Sequence, residues 1–99
     1  MLKSILLSVL IVITALISKA QTNGSILHNG ITRNYIVYVP AAYQPGDSWP
    51  LVFVLHGFTQ TASAIMGVSG FNAIADTGNF IVAYPNGVGN AWNTNSGMT

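Results

Sequence analysis

The sequence contains no cysteine and no glutamate, and its 99 residues carry three lysine or arginine side chains against two aspartates. Without cysteine there is no disulfide to staple the fold and no thiol to acylate as a lipoprotein anchor. His28 and His56 stand far apart, and Asp47 and Asp76 are scattered, so no metal-ligand spacing exists. No metal and no cofactor is expected. Charge blocks, heptads and internal repeats are also missing.

What the chain does have, first, is a hydrophobic block over residues 5–17, broken by Ser8, Thr14 and Ala15. Lys3 precedes it and Ser18-Lys19-Ala20 follow. This is the order of a secretory signal: a basic start, an apolar centre and small residues at the cut. The block of about 13 residues is shorter than the roughly 20 a spanning helix needs. Residues 1–20 are therefore expected to be a signal peptide cleaved after Ala20; the rival reading is an uncleaved N-terminal anchor. Removing those 20 residues from 99 leaves 79, and taking two lysines from the net charge of +1 leaves −1. A basic surface for nucleic acid is thereby excluded. A secreted protein, extracellular or periplasmic and without lasting membrane association, is the expectation. A 79-residue domain without disulfides is marginal on core burial alone, and with so few charges it also lacks solubilising groups. Both facts suggest one portion of a larger fold, over residues 21–99.

The rest of the chain orders itself into a hairpin and one crossover unit. Residues 25–39 read as a β-hairpin about Asn29-Gly30, a pair that accepts the positive φ angles of a tight turn. Tyr35, Val37 and Val39 alternate with Ile36 and Tyr38, so both strand faces call for cover, and Pro40 ends the strand. After a loop with Pro45, Gly46 and Pro50, residues 51–55 (LVFVL) read as a strand buried on both faces. Residues 62–66 suggest a short helical turn, and 71–77 a better helix, with Ser69 as N-cap and Gly78 as C′ residue. Phe71, Ile74 and Ala75 share its apolar face. Residues 80–84 (FIVAY) form the next buried strand, closed by Pro85. Strand, helix, strand over this length is a βαβ unit, which places the two strands parallel with a right-handed crossover. The fold class is α/β. Residues 86–99 read as an Asn- and Gly-rich loop.

Chemistry is expected where the first buried strand ends at His56-Gly57, because ligands sit at the carboxyl edge of parallel strands. A backbone N–H there can donate to the oxygen of a tetrahedral intermediate, an interaction worth about 2.7–4 kcal/mol. The donors would be the amides of Phe58 and Thr59. His56 and Gly57 would shape the loop, with Gly57 avoiding a side chain in the path of substrate. The plainer reading is a buried strand that merely turns at His-Gly. His56 is not read as a general base, since no acid stands near it; it is expected to hold loop carbonyls. Gly67-Val68-Ser69-Gly70-Phe71 misses the G-x-S-x-G elbow at its last position and no strand precedes it, so N-cap is the better role for Ser69. Trp92 is a candidate for the substrate entrance, against the simpler role of packing.

The blocks RNYIVYVPAAY, PLVFVLHGFTQTAS and GFNAIADTGNFIVAYPNGVGNAWN together resemble secreted esterases of the polyhydroxybutyrate-depolymerase and feruloyl/acetylxylan-esterase group. The resemblance runs over residues 33–93 in order and spacing. It implies the N-terminal part of an α/β-hydrolase fold, the hairpin followed by one parallel βαβ unit, and a Ser-His-Asp triad. It makes 51–55 the strand before the oxyanion loop and places Trp92-Asn93 toward the entrance. Family members often carry Cys where this chain has Phe58, so a staple is absent while the backbone donor remains. Nucleophile, acid and histidine of that family all lie downstream of Thr99, so no catalytic triad residue is expected in this chain, and it should be inactive alone. The implied partner is a polyester or plant-wall ester. A peptidase on the same fold and a non-catalytic exported binding module remain alternatives.

Overall fold

The computed structural model describes residues 20–93. Strands β1 (Ala20–His28) and β2 (Ile31–Val39) form an antiparallel hairpin in which Ala20 faces Val39 and His28 faces Ile31. Asn29 and Gly30, at φ 51° and 78°, make the turn, the type I′ pattern that Asn-Gly favours. β1 begins five residues before the expected Ser25. Gln21, Thr22 and Asn23 are polar and give no alternating signal, yet they pair backbone to backbone with Tyr38, Val37 and Ile36. The expected signal segment lies outside the described residues except for Ala20.

Two further strands complete one sheet of order β1-β2-β4-β3, with β3 at Leu51–Phe53 and β4 at Ile81–Pro85. β4 runs antiparallel to β2 and parallel to β3, as the crossover pattern requires. The pairing of β3 with β4 continues one residue past each end of β3, through Ile81 N–H to Pro50 O and Val54 N–H to Ala83 O, both at 2.9 Å. This mixed sheet with helices is the architecture expected for the start of an α/β-hydrolase fold.

The connecting helices are α1 (Ala62–Ser69) and α2 (Phe71–Gly78). Thr61 caps α1, its hydroxyl accepting from Ala64 N–H at 3.1 Å, and Asn86 Oδ1 accepts from Ala62 N–H at 2.7 Å. Two of the orphan amides of the first turn are thus satisfied. Gly67 does not stop α1, which runs three residues beyond the expected Met66. Ser69 is not the N-cap of α2: Gly70 occupies that position at φ 70°, a backbone value suited to glycine. The left-handed residue closing α2 is Asn79 (φ 60°), one place after the expected Gly78.

Both helices cover a single face of the sheet. Ile36, Tyr38, Val82 and Tyr84 lie beneath them, and Ala62 and Ala75 bring the helices close because methyl groups need little room. Two tyrosines tie α2 to the sheet: Tyr84 donates to Asn72 Oδ1 at 2.6 Å and Tyr38 to Asp76 Oδ1 at 2.7 Å. Asn72 and Asp76 are one helical turn apart, so adjacent strands reach the same helix face. Burial pushes the Tyr84 hydroxyl above the ordinary phenol range, with a hydrogen bond to Ser69 acting the other way. Asp76 therefore serves the packing of the sheet. Ile74, expected on the apolar face of α2, is exposed.

The opposite face corrects the expectation of a strand buried on both sides. Leu51, Phe53 and Leu55 are exposed, Phe53 at 64 %, while Val54 packs against the core. β3 is the last strand in the order, and its ladder to β4 uses the backbone of Pro50, Val52 and Val54. The peptide groups of Leu51, Phe53 and Leu55 point by alternation to the unpaired side.

Candidate oxyanion site

The carboxyl ends of β3 and β4 meet at a rim made by two turns. The first is Gly57–Gln60, closed by Gln60 N–H to Gly57 O at 3.1 Å. Thr59 takes φ 66° at its third position, the pattern of a type II turn. For a β-branched residue a left-handed backbone is unusual and persists where neighbours hold it. Here the hold is a hydrogen bond from Thr59 N–H to Asn90 O at 2.8 Å. The second turn, Gly87–Asn90, is closed by Asn90 N–H to Gly87 O at 3.1 Å.

His56 latches the two turns together. It is 2 % exposed, and its Nε2 lies 3.0 Å from the amide of Gly87. An amide can only donate, so Nε2 is the acceptor and the ring proton sits on Nδ1, which donates to Gly57 O at 2.7 Å. Both ring nitrogens are engaged with backbone, and neither contacts a hydroxyl or a carboxylate of the described residues. Trp92 completes the latch from outside: its indole N–H donates to His56 O at 2.8 Å and the two rings lie 4.8 Å apart. Trp92 also lines a hollow of about 260 Å³ with Ile31, Arg33 and Val88. His56→Ala is expected to leave the Gly87 amide without its partner and to lower stability by about 1–3 kcal/mol, measured as a reduced urea midpoint at unchanged slope.

The amides of the first turn can be accounted for one by one. Gly57 N–H donates to Gln60 Oε1 at 3.0 Å, Thr59 N–H to Asn90 O and Gln60 N–H to Gly57 O. Phe58 is the exception: its amide has no acceptor among the described residues. The expected pair of donors is thus reduced, since the Thr59 amide is turned into the fold. Gly57 stands against the Gln60 side chain, which an added Cβ would approach to 3.3 Å. Gln60, Asn86, Gly87 and Asn90 are the residues sequence reasoning passed over. Their contribution is made through loop backbone and amide side chains, and no spacing marks it.

Among the described residues no three His, Cys, Asp or Glu side chains gather as a metal site. Nor is any helix among them long and apolar enough to cross a membrane.

No family model and no curated protein matches the chain. Solved structures do. A ferulic acid esterase superposes with a TM-score of 0.59 at 16 % identity, over 70 % of this chain and 30 % of its own. An S-formylglutathione hydrolase from Agrobacterium tumefaciens gives 0.60 at 22 % identity, over 70 % and 25 %. An S-formylglutathione hydrolase from Staphylococcus aureus gives 0.59 at 18 % identity, over 83 % and 34 %. These likenesses establish the fold as α/β-hydrolase-like. The chain spans about a quarter to a third of the length of the structures it matches.

Proposed function

We propose that this chain forms the oxyanion side of an exported, serine-type carboxylic-ester hydrolase. The observation that carries the reading is the Phe58 amide. It is the one amide of its turn with no acceptor among the described residues, and it stands at the carboxyl rim of parallel strands. When a nucleophile attacks an ester carbonyl, charge develops on the carbonyl oxygen, and a fixed N–H aimed there stabilises it without reorganisation. The latch through His56, Gly87 and Trp92 holds that N–H in place. The fold likeness to a ferulic acid esterase and to S-formylglutathione hydrolases supports the ester class. Polyester or plant-wall esters are the substrates the sequence resemblance favours.

The attacking serine belongs elsewhere in this reading. His28 touches Asn29, and His56 touches Gly57 and Gly87, so neither described histidine has a serine hydroxyl to activate. The open side of β3 is where the nucleophile-bearing strand would pair, burying the peptide groups of Phe53 and Leu55 that would otherwise invite aggregation. The test is an aryl-acetate assay on the full-length protein, with a fluorophosphonate to label the nucleophile. Expected are turnover and a labelled serine outside residues 20–93. Label on a serine within 20–93, or a full-length protein that neither turns over nor labels, would defeat the reading.

A further inference from the structure

Three Asn-Gly steps lie in the described residues: Asn23-Gly24, Asn29-Gly30 and Asn86-Gly87. Such a step is prone to one reaction, attack of the glycine amide nitrogen on the asparagine side-chain carbon, because no Cβ shields the nitrogen. The fold treats the three differently. Asn23 and Gly24 pair with Ile36 and Tyr35 in the hairpin ladder, and the Tyr35 ring lies so close over Gly24 that a Cβ there would overlap it. At Asn86-Gly87 both reacting groups are engaged: Asn86 Oδ1 accepts from Ala62 N–H, and the Gly87 amide donates to the buried His56 ring. Asn29-Gly30 has neither restraint. Both residues are exposed, and nothing lies within 4 Å of where a Gly30 Cβ would be. Its one side-chain contact among the described residues is Asn29 Nδ2 donating to His28 Nε2 at 3.4 Å, which leaves the Asn29 side-chain carbon open to attack.

We propose that Asn29 is a selective site of spontaneous deamidation, set by the exposed and unrestrained Asn29-Gly30 turn. The Gly30 nitrogen bonds to Asn29 Cγ and gives its proton to solvent base. The Cγ–Nδ2 bond breaks, and Nδ2 leaves as ammonia after taking a proton from solvent water. Water then opens the five-membered imide to aspartate or isoaspartate. The isoaspartyl product adds a backbone carbon to a turn that needs two ordinary residues. It also places a carboxylate beside Ile31, which lines the hollow shared with Arg33 and Trp92.

The test is peptide mapping by mass spectrometry on the full-length protein aged at mildly alkaline pH, folded and in urea. In the folded protein Asn29 should gain one mass unit at least about ten-fold faster than Asn23 or Asn86, which must first open locally. In urea the three rates should converge. Equal rates at all three sites in the folded protein would overturn the selectivity.

Discussion

Phe58→Pro should lower kcat for ester hydrolysis by about a hundred- to a thousand-fold while leaving KM within a few-fold, the cost of one lost oxyanion donor. Proline removes the backbone N–H and nothing else that this turn requires. Phe58 is the second residue of a turn whose third residue alone has positive φ, and proline is favoured at that second position. Gly57 before it tolerates the restriction that a following proline imposes. The Phe58 side chain is exposed, so Phe58→Ala should retain kcat within a few-fold. The two variants together separate the amide from the ring. Steady-state kinetics of the full-length protein reads both, with a thermal melt to show that each is folded. Equal losses in the two would mean that the side chain matters and the amide does not.

Gly87→Ala should be the most damaging single methyl group at the rim. A Cβ at Gly87 would overlap the carbonyl oxygen of Ala91, a backbone atom with no rotamer to yield. Relief requires opening the turn that positions the Gly87 amide on His56 and the Asn90 carbonyl on Thr59. The expected loss is about 3 kcal/mol of stability, at the upper end for overpacking, together with most of the ester hydrolysis. Gly89→Ala is the comparison. It has open space around it but sits at φ 64°, so its cost should be about 1–2 kcal/mol of backbone strain. Urea denaturation of both variants checks the order, and a Gly89 variant worse than the Gly87 variant would contradict the latch.

Much of this was legible because short-range chemistry decided it. Asn29-Gly30 announces its own turn, and the sequence of apolar run, helix and apolar run announces the parallel pair of β3 and β4. His56-Gly57 at the end of that run marks the rim. Other features depended on atoms distant in sequence. Ser69 has the right side chain for a cap, but Gly70 takes the left-handed backbone that joins two helices without a loop. The apolar run at 51–55 gives no sign of which face is covered, because covering is done by whatever packs there, and both described helices lie on the other side. Thr59 looks equivalent to Phe58 as a donor until Asn90 is seen to accept its amide. Asn90 itself gives no sequence signal, being one of several polar residues in a glycine-rich loop.

The central claim is that the Phe58 amide is the donor to the developing oxyanion. It is tested most directly by following that one N–H in the ¹H–¹⁵N spectrum of the full-length protein before and after phosphonylation of the nucleophile, which places a strongly polarised phosphoryl oxygen where the tetrahedral intermediate would carry its oxyanion. The Phe58 proton should move strongly downfield and become protected from exchange, with the Thr59 proton, already on Asn90, moving little. A Phe58 resonance that stays in place while the nucleophile is fully modified would contradict the account.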